Sequence, residues 1–165
     1  AEDAAALAGW WQQPGNPDWL AQRRRLLTLL EQQAKLERMV RIVGKDALPM
    51  PQQLTLVCAE LVSEAILRQS AMSPVDRYCS PERQTAMLRT VMHFVTSAER
   101  ALDAGVPLER IAALAVYRRL MRIGEEIPEG DTGRFDELRR LIDEAFQQEL
   151  GAIAGRTPVA RAAQN

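Results

Sequence analysis

Apolar residues recur at helical spacing through nearly the whole chain, and the interruptions carry the vocabulary of helix ends. Trp19, Leu26, Leu27, Leu30, Ala34, Val40 and Val43 form a first stripe, while Gln22, Arg25, Gln32, Lys35 and Arg38 fall mostly on other faces. Asn16-Pro17-Asp18 supplies its start: a side chain that caps free amides, a proline for the first helical position and an acid at the positive end of the dipole. Gly44 ends it, in the expected role of a left-handed cap. Pro49 and Pro51 fit only before or within the first turn of the next helix, whose stripe is Leu54, Val57, Cys58, Leu61, Val62, Ala65 and Ile66.

Ser80-Pro81-Glu82 repeats the start signal, and Met87, Leu88, Val91, Val95, Ala98 and Leu102 predict a third helix closed by Gly105. "LERIAALAVYRRLMRI" is helical in composition with an irregular stripe, which predicts two short helices or one kinked helix. Phe135, Leu138, Leu141, Ile142, Ala145, Phe146 and Leu150 predict a last helix ending at Gly151. No segment alternates with period two long enough to form a strand. The expected fold is therefore all-α, an antiparallel helical bundle of about five to six helices with no sheet. Its expected organisation is a lead-in over 1–16, the bundle over 17–151 and a disordered tail over 152–165.

Composition narrows function mainly by exclusion. With 21 basic and 22 acidic residues interspersed, no global field would gather nucleic acid or an anionic membrane. No apolar run approaches the roughly 20 residues of a bilayer span, so a soluble, cytoplasmic chain without membrane insertion is expected. Cys58 and Cys79 have no CxxC spacing and read as reduced, packed thiols. His93 has no second ligand near it in sequence, and Glu125, Glu126 and Glu129 read as a solvated run in a breaker-rich loop, so no metal site is expected. Arg23, Arg24 and Arg25 fan around a helix and read as a solvated face. No phosphate loop, G-x-G-x-x-G, H-E-x-x-H or G-x-S-x-G motif occurs.

Three ordered stretches carry a resemblance: "VGKDALP" from Val43, "SPVDRYCSPE" from Ser73 with Asp76, Tyr78 and Cys79, and "DAGVPLERI" from Asp103. Together with a weaker "EEIPEG", they make the chain from about Trp10 to Leu150 resemble the C-terminal helical domain of the catalytic A subunit of V-type and archaeal-type rotary ATPases. The resemblance implies that a nucleotide domain binding ATP or ADP with Mg precedes this region in a longer polypeptide. It also implies that this region binds no cofactor and carries no catalytic residue of its own.

Two candidate sites follow from the resemblance. Gly44, Lys45, Asp46, Ala47, Leu48, Pro49 and Met50 are similar to a loop that contacts the central-stalk rotor subunits, here with Asp46 as its one acid. The expectation is a stiff, mostly steric contact in which Leu48 and Met50 meet the stalk. Ala71-Met72 stands where family members usually carry an Ala-Phe pair against the adenine ring. The further partners implied are the alternating non-catalytic B subunits, with the chain monomeric on its own. The other reading of the residues is an independent helical adaptor or scaffold without enzymatic activity.

Overall fold

The computed structural model describes residues 17–68, 81–127, 131 and 133–162. Among them the chain is all helix and turn: α1 (Pro17–Val43), a 3₁₀ turn (Lys45–Ala47), α2 (Met50–Val62) prolonged by a π-helical segment (Ser63–Arg68), α3 (Pro81–Ala104), α4 (Leu108–Ala112), α5 (Ala115–Met121), α6 (Ile123–Glu126) and α7 (Gly133–Ala162). The expected all-α bundle is thus what the described residues form, with the region 108–121 split into two short helices.

α3 is the central element. Met87, Leu88, Val91, Met92, Phe94, Val95, Ala98 and Ala101 are all buried, so it is covered on more than one side, by α7 and by the α1–α2 pair. One continuous core joins it to Leu26 and Leu29 of α1, to α2 from Leu54 onward, to Leu108, Ile111, Val116, Leu120 and Ile123 of the short helices, and to Phe135, Leu138, Ile142 and Phe146 of α7. Phe94 stacks obliquely on Phe146, ring centroids 5.3 Å apart, and on Tyr117 at 5.7 Å.

α1 and α2 form the antiparallel hairpin that their short connection requires. α3 and α7 instead run parallel: Arg83 lies over the Phe135 ring, His93 meets Asp143 and Phe94 meets Phe146, so contact positions advance together along both helices. The three short helices between them carry the chain back to the starting end of α3. This corrects the expectation of antiparallel packing for that pair.

The end of α3 is a Schellman turn. Val106 N–H donates to Ala101 C=O (2.9 Å) and Gly105 N–H to Leu102 C=O (3.0 Å), with Gly105 at φ 109°. Val106 and Ala101 are both buried, which supplies the apolar contact of the motif. The last helix does not stop at Gly151: it continues to Ala162, through residues expected to form a disordered tail. Ile153 packs onto the core, its Cγ2 3.9 Å from where a Cβ on Gly105 would lie, and that tertiary contact outweighs the helix-weakening glycine.

Polar side chains tie the helices together, Arg25 of the expected solvated face among them. Arg25 on α1 donates from Nη2 to Glu99 Oε1 of α3 at 2.6 Å and bonds Thr96 through Nη1. His93 Nε2 lies 2.7 Å from Asp143 Oδ1, joining α3 to α7, and Arg110 forms a two-pronged pair with Glu149 at 3.0 and 3.1 Å. Glu125 is in the short helix α6 and not in a loop; Glu129 lies outside the described residues.

Candidate functional site

The connection between α1 and α2 is built from specific backbone states. Gly44 N–H still donates to Val40 C=O (2.9 Å), but its φ of 86° and ψ of 155° then turn the chain out of the helix. That ψ is far from the left-handed helical region, so Gly44 is not the left-handed cap expected; it occupies a region open essentially to glycine alone. Leu48 N–H donates to Lys45 C=O (3.1 Å), closing the 3₁₀ turn. Leu48 and Pro49 are extended, and the Pro49 carbonyl accepts from Gln52 and Gln53 N–H (3.0 and 3.1 Å), starting α2. Pro51 sits within the first turn, where its missing N–H costs no helical bond.

Leu48 is only 4 % exposed, and the buried Gln53 side chain reaches back so that its Nε2 donates to the Leu48 carbonyl at 2.9 Å. The turn is therefore folded over its own leucine. Lys45, Asp46, Ala47, Pro49 and Met50 are exposed around it. Of the two apolar residues expected to face a partner, the fold presents Met50 and buries Leu48.

Two residues that the sequence pattern did not assign to the site join it. Ile42 is 84 % exposed and Val43 is 56 % exposed, although Val43 belongs to the stripe expected to be buried. Adjacent apolar residues in a helix point about 100° apart, so Ile42 and Val43 cannot both follow a narrow core stripe, and that was the available signal. Leu36 and Leu48 are buried within the hairpin yet lie outside the continuous core, which takes from α1 only Leu26 and Leu29 among its fully buried residues. The tip with Ile42, Val43 and Met50 thus lies just beyond the continuous core, one turn from Leu54 on the α2 side and further from Leu29 on the α1 side. An open groove of about 490 Å³ runs beside it between α1 and α2, edged by Glu37 and Glu60 and by Arg41 and Lys45.

Ala71 and Met72 lie outside the described residues; the π-helical segment Ser63–Arg68 leads toward them and packs against α3, α5 and α6. Cys58 is buried among Leu54, Leu61 and Val62 of its own helix, and burial pushes its thiol up to about 12, which leaves it without nucleophilic character near neutrality. Cys79 is outside the described residues. Among the described residues no helix is long and apolar enough to cross a membrane, and no three metal-ligating side chains converge.

The family model described as the C-terminal domain of V and A type ATP synthase matches residues 8–112, a span that contains α1, the tip, α2, α3 and α4. The chain belongs to this family. Curated relatives carry the same signature further: the A subunit of the A-type ATP synthase of Methanopyrus kandleri is 37 % identical over 139 residues, covering 84 % of this chain and 24 % of that protein. The corresponding proteins of Thermococcus onnurineus and Pyrococcus horikoshii are 37 % and 38 % identical over 143 residues, 87 % of this chain and 23 % and 14 % of theirs. This V and A type ATP synthase C-terminal domain therefore spans about a quarter or less of the length of these relatives. Its α1–α2 hairpin lies wholly inside the stretch that the family model matches.

Proposed function

We propose that this chain acts as the C-terminal domain of the catalytic A subunit of a V/A-type rotary ATPase, and that the α1–α2 hairpin transmits nucleotide-driven movement to the central stalk. The observation that carries the reading is the exposed apolar tip: Ile42, Val43 and Met50 face outward at the joined end of the α1–α2 hairpin, on a turn fixed by Gly44, Pro49 and the Gln53–Leu48 bond. Stiffness matters for such a role, because force applied at the tip reaches the bundle only if the turn does not yield. Asp46 is the one acid between Gly44 and Pro51, so shape and apolar contact dominate over charge.

In this reading ATP or ADP with Mg is bound by the preceding nucleotide domain of the complete catalytic polypeptide, which alternates with non-catalytic B subunits in the head. Hydrolysis or synthesis of ATP there would be coupled to proton or sodium transport. Ala71 and Met72 would line the adenine side of that pocket, with the Met72 thioether against the purine. The domain itself supplies no catalytic group, and the assembly holds it at the membrane periphery.

The test uses the complete catalytic polypeptide in an assembled complex. Val43→Ala with Met50→Ala is expected to lower the number of ions moved per ATP hydrolysed while leaving the domain's thermal stability unchanged, since both side chains are exposed. Leu48→Ala should do the reverse first, destabilising the tip by about 2–5 kcal/mol through the lost buried side chain. Unaltered coupling in the double variant removes the tip from the transmission path.

A further inference from the structure

Exposed apolar side chains on this molecule are concentrated. Among the described residues the large apolar residues exposed to solvent are Leu20, Leu27, Met39, Ile42, Val43, Met50 and Leu150, and five of these seven belong to α1. Singly scattered exposed leucines need no explanation, but an accumulation on one helix does.

At about 100° per residue, Leu20, Leu27, the exposed Ala34 and Ile42 fall within an arc of about 80°, one residue every second turn. Trp19, Leu26, Leu29 and Leu36, which are buried, lie on the opposite side. α1 therefore has two apolar lines: one packed on the bundle and one facing outward over about 33 Å of helix. Arg24, Lys35 and Arg38 are interspersed along the outward line, with Glu31 as the acid among them, and all four are exposed. Glu37 is turned away, into the groove beside α2.

We infer that the outward face of α1 is a docking seam for an acidic amphipathic helix of another protein chain. The width of the line selects the partner class. A narrow apolar line between long charged side chains leaves room for one helix laid along it, whereas a helix lying on a membrane presents a broad apolar face. The three-to-one basic excess selects the charge, because carboxylates on the incoming helix would meet Arg24, Lys35 and Arg38. The same excess opposes two copies of this face packing on each other. The seam meets the tip contact at Ile42, which the two share, but Leu20, Leu27 and Ala34 lie two turns or more back along α1 and belong to the seam alone.

The test titrates the full 165-residue chain into a fluorescently labelled synthetic four-heptad helix carrying leucine at its a and d positions and glutamate at e and g, read by anisotropy. A second peptide has lysine in place of every glutamate. The glutamate peptide is expected to bind, the lysine peptide not to, and affinity to fall as salt is raised. Leu27→Glu with Ala34→Glu should weaken binding at least about tenfold. Arg24→Glu with Lys35→Glu and Arg38→Glu should reverse the peptide preference, whereas Leu150→Ala should change nothing. Circular dichroism on each variant checks that α1 remains helical. Equal binding of both peptides, no binding, or binding insensitive to the Leu27 and Ala34 changes overturns the seam. Tighter association with phosphatidylserine vesicles than with the peptide, lost in the same variants, overturns it in favour of a membrane surface. Concentration-dependent dimerisation lost in those variants overturns it in favour of a second copy.

Discussion

The Gln53 side chain, buried on the first turns of α2, donates its Nε2 hydrogen to the carbonyl of Leu48 at 2.9 Å and so closes the hairpin tip over its own leucine. A carbonyl at the bend between a 3₁₀ turn and a helix has no ladder partner, and here a side chain supplies one. Gln53→Met keeps the volume and removes the donor, leaving the Leu48 oxygen unsatisfied, which costs about 1–3 kcal/mol. Thermal unfolding should show the loss, and amide exchange should rise across 44–49. A variant melting with the parent chain would show that packing of Leu48 alone holds the turn.

Gly44 makes the turn possible through its backbone and not through lack of space. Nothing lies within 4 Å of where a Cβ would sit, while φ is 86° and ψ 155°. Gly44→Ala should therefore destabilise by about 1–3 kcal/mol from conformational strain. D-Alanine at the same position, introduced by chemical ligation, should restore the melting temperature, because positive φ is natural to that enantiomer. Equal damage from both enantiomers would point to a steric cause.

Alkaline pH should weaken the fold through two weak acids, the buried Cys58 and the half-buried Tyr117. Burial foremost, and then the Glu99 carboxylate, push the Cys58 thiol from 9.0 up to about 12, against the opposing pull of Arg25. Burial, then Glu60 and Cys58, push Tyr117 from 10.0 to about 12. Both stay protonated in the folded chain where the unfolded chain has begun to lose its protons. Their contribution is intact below about pH 9 and is lost as pH rises toward 12. The urea midpoint should be flat on the acid side of that window and fall across it, and Cys58→Ala should make the fall shallower. An unchanged slope would exclude the thiol as its source. Near neutrality a thiol reagent should modify Cys58 only when the chain is unfolded.

Gly151 sits inside α7, exposed, with nothing within 4 Å of a would-be Cβ. Gly151→Ala should stabilise the chain by about 0.5–1 kcal/mol, since alanine leaves the unfolded chain with less backbone freedom to lose on folding. Differential scanning calorimetry measures the gain. A loss of stability would mean that the helix needs flexibility at this position.

The helices themselves were legible because period and punctuation agree. Leu54, Val57, Cys58, Leu61, Val62, Ala65 and Ile66 are each buried as their spacing predicts, and Pro49, Pro51 and Gly105 stand where helices begin and end. Where periodicity was followed too far it misled. Leu27, Ala34 and Val43 are grouped by spacing with Trp19 and Leu26, yet all three are exposed: at about 100° per residue Leu27 and Ala34 fall on the outward side of α1, and Val43 stands at the tip beyond the last core contact of that helix. The candidate tip was legible as a place, from its glycine and prolines, but not as a surface. Which of Ile42, Val43, Leu48 and Met50 faces outward depends on how the turn folds back on α2, and the Gln53 bond that decides it joins residues whose pairing no periodicity encodes.

By itself, then, the sequence determined the helical elements, their starts, most of their ends and the family resemblance, because local backbone preference and side-chain spacing are properties of short stretches. Only the tertiary structure decided the parallel course of α3 and α7, the burial of Leu48 beneath an exposed Ile42, Val43 and Met50, and the persistence of α7 through Gly151. Each of these depends on contacts between residues distant in the chain, such as Phe94 with Phe146 and Ile153 with the Gly105 turn. Their energy is set by what neighbouring helices leave exposed, and that quantity does not exist until the helices have packed.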